Sequence, residues 1–77
     1  MWTMELLATI LFLWVVKTYP TPLHIGLGLA LALYLGGSHL NPAVSVMKFL
    51  GGQISQQGLM EMVVVHLAAA WVVVNFL

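Results

Sequence analysis

The chain has 77 residues, of which 62% are hydrophobic, and its two basic and two acidic residues give a formal net charge of zero. A soluble domain of this size needs a charged surface, disulfides or a metal, but the sequence has no Cys and no cluster of ligand residues. No basic run is present for nucleic acid, and we expect no metal or other cofactor. The composition therefore predicts an integral membrane protein. No cleaved signal peptide is expected, because residues 1–16 lack a basic start and a small-residue cleavage site.

Three apolar segments follow in chain order. The first covers about residues 1–19, roughly 28 Å of helix, and ends at the turn signal Tyr-Pro-Thr-Pro. The second covers about residues 23–36 and ends at a Gly-Gly pair, and the last covers about residues 56–77, roughly 33 Å of helix. We therefore expect an all-α, multi-pass membrane protein with three transmembrane helices in a single unit, residues 1–77.

A helix start signal lies between the second and third segments, in the stretch SHLNPAVSV. Asn41 is a preferred N-cap, Pro42 suits the first helical position, and Gly51-Gly52 marks the far end. The predicted helix, about residues 42–50, rises roughly 13 Å, which is about half a bilayer core. This length favours a re-entrant half-helix, whose irregular lead-in must be buried in protein or line a watery cavity. The alternative is an interfacial turn with a short helix lying flat on the membrane.

This stretch resembles the Asn-Pro-Ala loop of the aquaporin and glycerol-facilitator family. Five residues fall on motif positions: His39, Asn41, Pro42, Ala43 and Val44. Residues 26–35 are similar to the second span of glycerol facilitators, Glu5 and Thr9 match the Glu-x-x-x-Thr signature of the first span, and His66 stands where the family usually has Gln. The resemblance covers essentially the whole chain but only one of the two inverted repeats of a full member.

The resemblance implies half of a pore, three spans plus one re-entrant half-helix, completed by a second copy in antiparallel orientation. Two chains would form each pore, and the family's clustering of four pores suggests eight chains. Lys17 and Lys48 fall on opposite sides of the membrane in this topology, so the positive-inside rule gives little bias and dual topology is permitted. A different half-channel chain is the alternative partner.

The resemblance also implies the residues that line the path. The accepting side would be the carbonyl groups of four residues: Gly37, Ser38, His39 and Leu40. Asn41 would cap the half-helix and direct its amide donors at the solute, and the helix dipole would repel cations. Val44 stands where the second repeat of full members has Arg, and the aromatic constriction position is Ile25, or His24 in a shifted register. We therefore expect a less polar filter that admits solutes larger than water.

Three further side chains have competing interpretations. From the resemblance, Glu5 would accept bonds from the backbone of the re-entrant loop, whereas its place near the N-terminus also fits the headgroup region. His66 would bond the loop backbone in place of the family Gln, and no second metal ligand follows it at helical spacing. Lys48 would repel cations at the pore mouth, or its ammonium would only extend to the interface.

The leading functional hypothesis is a passive channel for water and small uncharged solutes such as glycerol. The alternative is a non-conducting membrane assembly or junction protein that keeps the fold. An enzyme is disfavoured because no nucleophile and base are arranged together in the sequence. An ion-coupled transporter is disfavoured because no charge pair can be assigned to the middle of the membrane.

Overall fold

The structure, a computed structural model, describes residues 2–77, and the described chain is helical. Its four helices are α1 (Trp2–Thr18), α2 (Pro22–Tyr34), α3 (Pro42–Leu50) and α4 (Gln56–Phe76). Each helix lies within or close to a segment that the sequence predicts to be helical. Met1, where the first predicted span begins, lies outside the described residues.

Local capping signals explain where three of the helices begin. The side chains of Thr21, Asn41 and Ser55 each accept a hydrogen bond from a backbone N–H in the following turn. Pro22 and Pro42 occupy the first position of α2 and α3, where a residue without an N–H leaves no helical bond unmade. The starts of these helices are therefore determined by their own short sequences.

The expectation of three transmembrane helices plus a re-entrant half-helix is wrong. Within residues 2–77, only α4 is long and apolar enough to cross a membrane, and only 22% of its most apolar stretch is buried inside the chain. α1 has 17 residues and α2 has 13, whereas a transmembrane helix needs about 20. α1 ends at Thr18 because Pro20 follows closely, and α2 ends at Tyr34 ahead of Gly36, whose φ is +117°. The apolar runs in the sequence are thus longer than the helices they form.

Helices α1 and α4 run parallel to each other and form the centre of the structure. Near the start of α1, the Glu5 carboxylate meets the His66 ring at 2.9 Å. Near its end, Lys17 Nζ donates to the Val73 carbonyl at 3.4 Å. Of the described helices, α2 packs only against α1, and α3 packs only against α4. The structure is therefore a row of helices in the order α2, α1, α4, α3, with both outer helices open on one side.

Glycine allows α2 to approach α1 closely. A Cβ atom at Gly28 would lie 2.9 Å from Val15 Cγ1, and one at Gly37 would lie 2.9 Å from Ala8 Cβ. These pairs show that α2 runs antiparallel to α1, because Gly28 in α2 meets Val15, whereas Gly37, three residues after α2 ends, meets Ala8 earlier in α1. The core where the two helices meet the following loop consists of Ala8, Ala32 and Leu40 packed against Phe12. Small residues therefore bring the loop after α2 close to the α1 backbone.

Candidate functional site

Glu5 is the centre of the polar site, although its side chain is only 2% exposed. Its Oε1 atom accepts hydrogen bonds from the backbone N–H groups of Ser38 at 2.7 Å and His39 at 3.1 Å. Its Oε2 atom accepts bonds from the Leu40 N–H and the His66 ring. A buried carboxylate is costly unless its oxygens are bonded, and these donors supply that compensation. One side chain of α1 thus holds three consecutive loop amides.

This arrangement determines where the loop carbonyl groups point. In a trans peptide unit the C=O of one residue is antiparallel to the N–H of the next. The amides of Ser38, His39 and Leu40 face Glu5, so the carbonyl groups of Gly37, Ser38 and His39 point away from it. Within residues 2–77 these three carbonyls accept no hydrogen bond. The loop therefore presents a short row of free acceptors on the side opposite Glu5.

The backbone of Leu40 completes this geometry. Its φ is +61°, the left-handed region that a bulky residue adopts only when its surroundings require it. Its side chain is 5% exposed and packs in the core with Ala8 and Ala32. Burial of the side chain and the bond to Glu5 together hold the backbone in this conformation, which turns the chain into α3.

Asn41 combines a capping role with free donor atoms. Its Oδ1 accepts a bond from the Ala43 N–H at 2.7 Å and so caps α3. Within the described chain its Nδ2 has no hydrogen-bond partner, and Asn41, Pro42 and Ala43 are all exposed. A helix N-terminus carries roughly half a positive charge. The structure thus has a positive helix end and an amide donor on its surface, directly after the row of free carbonyls.

The start of α3 lies beside the middle of α4. His66 lies ten residues after the first residue of the 21-residue α4, and it shares the Glu5 carboxylate with the Leu40 amide. The nine residues of α3 rise roughly 13 Å from this level, which is less than half the length of α4. The polar end of α3 is therefore placed about halfway along α4, the one helix within residues 2–77 that is long enough to cross a membrane.

His39 is positioned by Ser45, a residue for which the sequence predicted no role. Its Nδ1 lies 2.6 Å from the Oγ atom of Ser45, whose side chain is fully buried. The His39 ring is half-buried beside this hydroxyl group. Ser45 had a signal in the sequence, since it is a polar residue one helical turn after Asn41 on an otherwise apolar helix.

His66 contacts the loop less directly than expected. The sequence predicts a bond to the loop backbone, but His66 Nε2 meets Glu5 Oε2 instead. The ring is 4% exposed, and its Nδ1 has no partner among the described residues. His66 therefore orients Glu5, which in turn holds the loop, because the short side chain of Glu5 already occupies the space next to the loop amides.

The other predicted site residues lie apart from the row of carbonyls. His24 and Ile25 are in the first turn of α2, roughly 15 Å along that helix from the loop that begins at Leu35. His24 is exposed and stacks on Tyr19 with ring centroids 5.1 Å apart. Lys48 is half-buried one turn after Ser45 and lies away from the exposed face of α3. That exposed face is apolar and consists of Ala43, Val46, Met47 and Leu50. Val44 is half-buried.

The described residues contain no group of three His, Asp or Glu side chains that could hold a metal ion. Comparison of the chain with protein-family models, with curated proteins and with solved structures finds no match. The resemblance to aquaporins therefore stays a prediction that depends on the motif residues themselves.

Proposed function

We propose that the chain forms a passive path for water and small uncharged solutes at the loop before α3. The observation that carries this proposal is the juxtaposition of free carbonyl groups from Gly37 to His39 with the unpartnered amide of Asn41. A neutral solute that donates and accepts hydrogen bonds can exchange its bonds to bulk water for bonds to these groups. Resemblance of residues 38–46 to the Asn-Pro-Ala loop supports the same function.

The electrostatics of the site favour uncharged solutes. The exposed N-terminus of α3 carries partial positive charge next to the Asn41 amide. Cations are repelled by this end, and the carbonyl row offers no donor to an anion. Selectivity of this kind needs no charged side chain in the path, which agrees with the absence of Arg from the sequence motif.

We also propose that a second copy of the chain, in antiparallel orientation, closes the path. The outer faces of α2 and α3 are apolar and exposed, with Leu23 69% and Leu50 78% accessible. Exposed apolar faces of this extent favour lipid or another apolar surface. An antiparallel copy would bring two positive helix ends together and strengthen the barrier to cations. Helices α1 and α3 each carry one Lys, so the positive-inside rule gives little preference and permits both orientations of the chain.

Osmotic swelling of vesicles tests the path. The purified chain should accelerate the entry of water and of glycerol several-fold over empty vesicles. Asn41→Ala removes both the amide donors and the cap, whereas Asn41→Asp keeps the capping oxygen. We expect both variants to lose the acceleration, and only Asn41→Asp to keep the helix content of the parent and to pass cations. Vesicles that swell no faster with the parent chain than without it would refute the proposal.

Accessibility labelling tests the partner. The chain has no Cys, so single Cys residues at Thr21 and Gln53, which precede α2 and α4, can be labelled selectively. We expect each site to be labelled from both sides of the membrane in cells. Labelling of each site from one side alone would exclude antiparallel copies while leaving the swelling result intact. Labelling from both sides without swelling would favour the non-conducting assembly protein.

A further inference from the structure

A groove of about 690 Å³ lies between the start of α1 and the first half of α4. Trp2 and Leu6 of α1 form one wall, and Val64, Val65 and Ala68 of α4 form the apolar floor. Gln57 and Glu61 lie at one end, two turns and one turn, respectively, before this floor on the same face of α4. The groove is thus apolar along its length and has a carboxylate at one end. It is separate from the loop before α3, and none of its residues belongs to the proposed path.

The pairing of Glu5 with His66 sets the register of α1 and α4 beside the groove. Glu5 lies three residues after Trp2, whereas His66 lies ten residues after Gln56. Because α1 and α4 are parallel, the first two turns of α4 extend beyond Trp2 and are not covered by the described part of α1. Met60 in these turns is 61% exposed, and Val64 in the next turn is 64% exposed. An apolar surface of this kind on a helix that can cross a membrane is open to hydrocarbon.

The polar end of the groove has the chemistry of a cation site. Glu61 is exposed, its Oε2 accepts a bond from Gln57 Nε2 at 3.3 Å, and within residues 2–77 it has no cationic partner. Trp2 is 49% exposed on the opposite wall. A carboxylate together with the face of an indole ring is the combination that binds an ammonium group.

We propose that this groove binds a lipid of the surrounding bilayer whose headgroup carries an ammonium group. The hydrocarbon chain lies along Leu6, Val64 and Ala68, and the ammonium group pairs with Glu61 and Trp2. A second copy of the chain is a poorer occupant because, within residues 2–77, its Lys side chains are Lys17, which donates to the Val73 carbonyl of its own chain, and Lys48, which is half-buried. Lipid supplies the ammonium group and the hydrocarbon chain in one molecule, independently of channel function.

Quenching of Trp fluorescence by brominated lipids tests the proposal in vesicles. The full chain with W14F and W71F keeps Trp2 as its single Trp. We expect brominated phosphatidylcholine to compete for the site next to Trp2 about fivefold better than brominated phosphatidylglycerol. A preference of about fivefold is the size expected from one exposed ion pair together with one exposed cation–π contact. The matched control is the chain with W2F and W71F, whose Trp14 lies outside this groove, and there the two lipids should quench equally.

Two variants of the Trp2 chain separate the headgroup contact from the hydrocarbon contact. Glu61→Gln keeps the shape of the side chain and should reduce the preference to twofold or less. Ala68→Phe fills the floor of the groove and should lower the quenching by both lipids. Equal quenching by both lipids at Trp2, or a preference that persists in Glu61→Gln, would overturn the proposal. If a second copy of the chain occupied the groove instead of lipid, labelled chains would show energy transfer, and Glu61→Gln would abolish that transfer.

Discussion

Replacing Glu5 with Gln changes one oxygen of a buried carboxylate to an NH₂ group and removes the charge. The carboxylate accepts three backbone N–H bonds and one bond from His66. An amide has only one acceptor oxygen. If that oxygen still accepts the hydrogen bonds from the Ser38 and His39 N–H groups, the NH₂ group faces the Leu40 N–H, which then has no acceptor. A buried unsatisfied donor costs about 1–3 kcal/mol, and the bonds that remain lose their charge assistance. We expect a loss of about 3 kcal/mol in the free energy of unfolding.

Hydrogen exchange measures this loss at the loop itself. At 1.4 kcal/mol per factor of ten, 3 kcal/mol corresponds to about a hundredfold faster exchange of the Ser38, His39 and Leu40 amides in micelles. The matched control is Glu61→Gln, the same chemical change on an exposed side chain bonded only to Gln57, which we expect to alter stability by less than about 0.5 kcal/mol. Similar results for the two variants, or unchanged exchange in the loop, would show that Glu5 does not hold the loop.

Other contacts lead to three further predictions. Gly28→Val places methyl groups against Val15 and should lower the unfolding free energy by about 1–3 kcal/mol in detergent titrations, with partial recovery on adding Val15→Ala; no recovery would contradict close packing there. His66→Gln keeps a donor for Glu5 and should be tolerated within about 1 kcal/mol, whereas His66→Leu should cost about 3 kcal/mol; equal melting of the two variants would argue against this bond. Ser55→Ala removes the α4 cap and should lower the unfolding free energy by about 1 kcal/mol, with faster amide exchange at the start of α4. Faster exchange at the start of α1 instead would contradict this prediction.

The sequence by itself was sufficient to locate the helix that matters most to the site. Asn41 and Pro42 at its start and Gly51-Gly52 at its end predict a helix over residues 42–50, and α3 spans Pro42–Leu50. This worked because a cap, a fixed proline φ and a glycine end are local properties of a few neighbouring residues. The same local reasoning failed for membrane spans, because apolar content continues through residues at which the backbone can no longer be helical, such as those next to Pro20 and Gly36.

Only the tertiary structure decided which groups meet at the site. The resemblance suggested that Glu5 contacts the loop, but not that its two oxygens divide the amides of residues 38–40, 33 to 35 positions away in the chain. It placed His66 at the loop, whereas the structure places Glu5 between them. Ser45 and the groove beside Glu61 had no recognised role before packing brought His39 and Trp2 to them. Contacts of this kind depend on the register in which parallel α1 and α4 pack, and no local pattern in the sequence encodes that register.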